Sequence, residues 1–174
     1  VSEDTKVIVA FNTPLVILDP NGGSANHVAS EADDKQSFTI LVRDGENEDD
    51  YTKGDMDFYF YSTNQLDNKT SQTGKRFDVG VKYTIADLGD VKKLYAIYLK
   101  PTDKSFAIDT SGLISLSDKN TSIADLVIPK KVNGKVVTGI ANLGFSRLPN
   151  TIDKIEEKRL ISGTITMPST VKSI

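Results

Sequence analysis

Ile128-Pro129-Lys130-Lys131-Val132, then Leu148-Pro149-Asn150-Thr151-Ile152-Asp153-Lys154-Ile155, then Met167-Pro168-Ser169-Thr170-Val171-Lys172-Ser173-Ile174: one phrase is written three times near the end of this chain. Each copy runs apolar residue, Pro, two polar residues, then Val or Ile. The second and third copies add an Ile three positions on. In the first copy the matching residue is Ile140, displaced by the insertion Asn133 to Gly139. The prolines fall at Pro129, Pro149 and Pro168, an interval of roughly twenty residues that predicts a stack of coils. A coil with one short apolar strand cannot bury it alone, and stacking lines up Ile, Leu and Val into continuous internal ladders. The Pro then stands at a strand end, where its missing N–H costs no ladder bond.

Working outward, Phe106-Ala107-Ile108-Asp109-Thr110-Ser111-Gly112-Leu113-Ile114 reads as a hairpin that caps the stack. It is followed by Asp125-Leu126-Val127-Ile128-Pro129-Lys130-Lys131-Val132-Asn133-Gly134-Lys135-Val136-Val137-Thr138-Gly139-Ile140, and the last copy is introduced by Thr164-Ile165-Thr166. Together these phrases resemble the BspA-like leucine-rich repeats of bacterial surface proteins, over about seventy residues. Ala141 to Phe145 stands where that family usually has an Ala-Phe pair, and Arg159 to Gly163 departs from the usual spacing. The chain stops at Ile174 just as a further strand and turn have been announced, so more repeats are expected to follow.

Upstream, Val7 to Phe11 and Pro14 to Leu18 read as apolar, β-branched strands, the second closed by the turn Asp19-Pro20-Asn21-Gly22-Gly23. Pro20 suits the second position of that turn, and Gly22 or Gly23 supplies a positive φ. His27 to Gln36 is small, polar or acidic and reads as a loop or one helical turn, and Ser37 to Val42 as a strand. Asp57-Phe58-Tyr59-Phe60-Tyr61 is an aromatic strand, whose alternation predicts Phe58 and Phe60 on one face and Tyr59 and Tyr61 on the other. Leu94 to Leu99 closes this half.

Asp19-Pro20-Asn21-Gly22-Gly23, Phe60-Tyr61-Ser62-Thr63, Gly74-Lys75-Arg76-Phe77-Asp78-Val79-Gly80-Val81-Lys82-Tyr83-Thr84-Ile85 and Leu94-Tyr95-Ala96-Ile97-Tyr98 are similar to the words of the internalin-type B repeat, also called the Listeria-Bacteroides repeat. The usual Gly-Trp-Tyr is replaced by Phe58 to Tyr61, and the middle loop is longer and more acidic. The resemblances imply a mainly β protein with minor α content. A β-grasp-like small sheet domain over residues 1–102 would precede a capping hairpin and the first coils of a leucine-rich-repeat solenoid over residues 103–174. They also imply an extracellular setting, on a bacterial cell surface or secreted.

Composition bounds the function. The chain has 174 residues, 38% of them apolar, enough for a packed core. A net charge of -3 with lysines interspersed among carboxylates offers no basic face for nucleic acid and no polybasic anchor. No apolar run of about eighteen residues is present, so membrane insertion of this segment is not expected. There is no cysteine and one histidine, His27, placed by this reading in a polar loop, so triad chemistry and zinc ligation by His and Cys have almost no material. No catalytic residue, metal ligand or cofactor is expected.

The acidic run Asp44, Glu46, Glu48, Asp49 and Asp50 lacks the turn Gly and distal Glu of a helix-loop-helix calcium site, and reads as a solvated loop, with a calcium site completed by residues from elsewhere in the chain as the alternative. The function expected is a non-catalytic adhesion module that binds a host or matrix protein or another cell-surface protein. Its candidate surface is Tyr59 and Tyr61 together with Asp44, Glu46, Glu48 and Asp50. Core or inter-domain packing is the competing role for the two tyrosines. Alternative functions are a structural spacer, or a carbohydrate-binding module using an exposed Tyr95 or Tyr98.

Overall fold

The computed structural model describes residues 15–68, 71–118, 122–142, 144–145 and 161–172. The strand expected over Val7 to Phe11, the middle phrase copy Leu148 to Ile155 and the last residue, Ile174, lie outside these. The chain is mainly β, with fifteen strands, one four-residue α-helix and one three-residue 3-10 helix (Glu48–Asp50) among the described residues.

In the first half, β1 (Ile17–Asp19), β4 (Thr52–Lys53), β5 (Met56–Ser62), β6 (Arg76–Phe77) and β8 (Lys93–Leu99) form one sheet in the order β1-β8-β5-β4, with β6 also beside β5. β1 runs parallel to β8 and the other pairs are antiparallel. A second sheet takes β2 (Val28–Glu31), β3 (Ser37–Leu41) and β7 (Lys82–Thr84) in antiparallel order. His27 to Gln36 is therefore not a loop: most of it is strand β2 and the tight turn into β3. Helix α1 (Ile85–Leu88) starts at Thr84, whose N–H and hydroxyl both donate to the Asp87 carboxylate. The two sheets share one core of Val16, Phe38, Ile40, Phe58, Tyr61, Phe77, Leu94, Ala96 and Tyr98.

The turn after Asp19 forms one position later than expected: Gly23 N–H donates to Pro20 O, so Pro20 takes the first position of the turn and not the second. Asn21 and Gly22 take φ of 50° and 77°, and the Asp19 carboxylate accepts from the Asn21 N–H at 2.8 Å. The aromatic strand does not alternate. A β-bulge between Phe58 and Phe60 places two residues against one on β8, so Phe58 and Tyr61 point into the first core and Tyr59 and Phe60 point out of it.

In the second half, β9 (Phe106–Ile108) and β10 (Leu113–Leu116) make the expected hairpin, with the Asp109 carboxylate accepting from Ser111 and Leu113 and Gly112 at φ 83°. β11 (Leu126–Val127) follows, then the hairpin of β12 (Lys131–Val132) and β13 (Lys135–Val136), then β14 (Gly139–Ile140) and β15 (Ile165–Thr166). β10 pairs parallel with β14, β11 pairs parallel with β15, and Ile123 bridges Ile161 in parallel. A second core gathers Ile114, Leu116, Ile123, Leu126, Ile128 and Val137.

The parallel pairs revise the expected repeat. Val127 faces Thr166, and Ile128 N–H donates to Thr166 O at 2.9 Å, so Ile128-Pro129 and Met167-Pro168 are direct neighbours. No strand can stand between them. Which copies are neighbours is set by which backbones exchange hydrogen bonds and not by how often a phrase recurs.

Candidate functional site

The two halves meet on the outer face of the first sheet. Tyr59, Phe60, Ile97 and Leu99 from that face pack with Val127 into a third buried cluster. Tyr59 is 0% and Tyr61 1% exposed, which overturns their assignment to an exposed binding surface. The bulge gives them separate tasks. Tyr59 leaves its own core to fill the junction, and its hydroxyl donates to Ile128 O at 2.6 Å. Tyr61 stays in the first core with its hydroxyl 3.1 Å from His27 Nδ1. Burial pushes both phenols well above the ordinary tyrosine range.

Arg76 plays the matching part for the other phrase copy. Its guanidinium lies 4.5 Å from the Phe60 ring centroid, is paired with Asp78, and donates to Met167 O at 2.9 Å. The carbonyl preceding Pro129 and the carbonyl preceding Pro168 are thus each held by a side chain of the first half. Gln72 adds a bond to Thr166 Oγ1, and Thr102 in the connector exchanges two bonds with the Val127 backbone.

The acidic run divides. Asp44 and Asp50 are exposed. Glu46 accepts from the Tyr51 hydroxyl and from Asn26 Nδ2, and the Tyr51 bond leads the contacts that hold its carboxyl below the usual range. Burial, with Glu46 second, pushes the Tyr51 phenol up to about 12. Glu48 and Asp49 face the second half. Asn47 caps the turn that presents them by accepting from the Asp49 N–H at 3.2 Å. Lys130 enters between them, donating to Glu48 O at 3.1 Å with its Nζ 3.5 Å from Glu48 Oε1 and 3.8 Å from Asp49 Oδ1. Lys131 pairs with Asp49 at 2.6 Å, and Ser169 Oγ donates to Glu48 Oε1 at 2.6 Å. The Lys130 side chain is 4% exposed, with its ammonium 5.8 Å from the Phe58 ring centroid. These carboxylates are not a free solvated face, since the second half uses two of them as a socket.

A shallow cleft of about 250 Å³ opens beside this socket, lined by Asp49, Asp57, Pro101, Pro129, Lys130 and Lys131. Burial raises the Asp57 carboxyl there, against an opposing pull from Lys130. Among the described residues, no three His, Asp or Glu side chains are placed to hold one metal ion.

Sequence reasoning missed Lys130, Arg76 and His27. Lys130 reads as one of two interchangeable polar residues after Pro129. His27 is 6% exposed and not in a polar loop: its ring packs against Tyr51, Phe58 and Tyr61 at centroid distances of 4.7, 4.8 and 5.5 Å. Tyr98 is also buried, its hydroxyl donating to Pro20 O and accepting from Ala25 N–H. Tyr95 is half-buried with Lys93 Nζ 5.8 Å from its ring, and every described aromatic side chain is buried or half-buried.

Comparison of the chain with protein-family models, with curated proteins and with solved structures found no match.

Proposed function

We propose that this chain is a non-catalytic module of a bacterial cell-surface or secreted protein. In it, a β-grasp-like, B-repeat-like sheet domain holds the first coils of a BspA-like leucine-rich-repeat solenoid in one orientation. The assembly serves adhesion to a host or matrix protein or to another cell-surface protein. The observation that carries the reading is the double grip on the phrase copies, Tyr59 on Ile128 O and Arg76 on Met167 O. A loose tether needs no such bonds, and a presenting domain does, because a binding face is useful only if its orientation is reproducible. The parallel pairing of β10 with β14 and of β11 with β15 supports stacked coils.

The burial of Tyr59 and Tyr61, and the engagement of Glu48, favour a structural spacer as the second reading for this segment. Asp44, Glu46 and Asp50 keep exposed surface and are the remaining candidates for direct contact. The carbohydrate reading is weakened by the burial of Tyr98. The test is binding of the folded chain to a panel of matrix proteins and glycans, with calcium and with chelator. Saturable binding that weakens in Asp44→Ala plus Asp50→Ala supports direct adhesion. A folded chain that binds nothing leaves the spacer.

A further inference from the structure

We infer that the loop over residues 43–51 is an acid-released clasp, in which proton uptake by His27 and surrender of Lys130 by the loop are a single coupled event. The inference stands on the junction geometry and is independent of what the module binds.

His27 sits beneath this loop. Its Nε2 is buried with no hydrogen-bond partner, and its Nδ1 lies against the Tyr61 hydroxyl. Tyr51 closes over it edge-on, and Glu46 anchors Tyr51 from the loop while accepting from Asn26. The same loop, two and three residues past Glu46, presents Glu48 and Asp49 to Lys130. His27 and the Lys130 ammonium both lie against Phe58, at 4.8 and 5.8 Å from its ring centroid. Lifting one loop therefore wets the imidazole and empties the lysine socket together.

The groups facing His27 set the sign. From β5 come Tyr61 and the apolar Phe58, with Tyr98 against both. From the loop come Tyr51 and Glu46, with Arg43 and Glu48 acting on Tyr51. From the second half comes Lys130, whose charge opposes a proton on the ring while Glu46 favours one. A protonated His27 would bury an N–H without an acceptor and put two cations over one phenyl ring. Both penalties disappear when the loop opens, so acid populates the open state through ordinary linkage. Burial first and Lys130 second hold the imidazole at about 4, well under its ordinary value, which agrees with a closed loop that excludes the proton. The reciprocal follows: Lys130 docking must lower proton affinity at His27.

The experiment is hydrogen exchange between about pH 7 and about pH 4.5, corrected for intrinsic rates, on the whole chain. Peptides spanning 43–51 and 126–132 should lose protection by roughly tenfold or more at the acid end, while 37–41 keeps it. His27→Gln should abolish that loss at both sites. Three outcomes overturn the proposal: no acid effect at the loop and junction, an unchanged acid effect in His27→Gln, or simultaneous opening of 37–41, which is global unfolding. His27→Gln puts a second polar group in a buried site, so a second variant guards against loss of fold. The chain has one histidine, so its imidazole titration by NMR is unambiguous. Lys130→Met should move that titration upward, and an unmoved titration overturns the coupling.

Discussion

The Tyr59 hydroxyl donates to the carbonyl oxygen of Ile128 at 2.6 Å, joining the aromatic strand of the first half to the residue before Pro129. Both partners are fully buried, so the bond has no water to replace it. Tyr59→Phe keeps the ring and strips the donor, leaving a buried carbonyl unsatisfied. The expected loss is ~1–3 kcal/mol, and Tyr59→Ala adds a cavity for ~3–5 kcal/mol. Denaturant unfolding measures both. A Tyr59→Phe protein as stable as the parent would show that the hydroxyl contributes nothing.

Lysines at two ion pairs should behave oppositely. Lys100 and Asp55 pair with both side chains 70% exposed, and Lys100→Ala should leave stability unchanged within error. Lys130 is 4% exposed between Glu48 and Asp49, and Lys130→Ala should cost ~2–4 kcal/mol through a lost buried pair and lost packing on Phe58. Equal effects in the two variants would contradict the buried socket.

Stability should fall on acidification in a defined window. His27 titrates at about 4 in the folded chain and near its ordinary 6.5 when unfolded. Between those values the unfolded chain takes a proton that the folded chain refuses, so stability is full above the higher value and declines toward the lower one. A gap of that size corresponds to ~3–4 kcal/mol. Unfolding midpoints across this range should slope in the parent and flatten in His27→Gln; parallel slopes would count against His27 as the source.

Gly23 has no room for a side chain. A Cβ there would lie 2.2 Å from Tyr98 Cζ, and Tyr98 is pinned by bonds to Pro20 O and Ala25 N–H. Gly23→Ala should cost ~2–4 kcal/mol or prevent folding. Gly45→Ala meets nothing within 4 Å and strains only its φ of 82°, for ~1 kcal/mol. The two unfolding curves side by side check the difference, and equal losses would place Tyr98 elsewhere.

The repeat register is open to a direct chemical check. Val127 and Thr166 are paired neighbours on parallel strands, within the Cα separation that a disulfide tolerates. The chain carries no competing cysteine. Val127→Cys with Thr166→Cys should cross-link on mild oxidation. Failure of a folded double variant to do so would restore a strand between the first and third phrase copies.

What was legible in the sequence is what short-range chemistry decides. Asp19-Pro20-Asn21-Gly22 and Asp109 to Gly112 are turns because their own side chains and positive-φ residues make them so, wherever the chain goes next. Most strands of β-branched and aromatic residues were recognisable for the same reason, and the mainly β class follows. The strand β2 was not, because Val28-Ala29-Ser30-Glu31 has little intrinsic preference and is held by its pairing to β3.

The site was much less legible. Tyr59 reads as one member of an alternating strand until a bulge, forced by pairing with β8, turns it out of its own core. Lys130 reads as a solvated lysine until the loop eighty residues earlier supplies a carbonyl and two carboxylates. Three similar phrases suggest three neighbouring coils, yet backbone pairing makes neighbours of the first and third.

By itself, then, the amino-acid order determined turn positions, strand chemistry, the absence of thiols and the near-absence of imidazole. Only the tertiary structure decided which aromatic faces the junction, which carboxylates hold a lysine, and which phrase stacks on which. The physical reason is range: turns and strand preference arise within a few residues, whereas desolvation, ion pairing and ladder registry depend on groups brought together from distant parts of the chain.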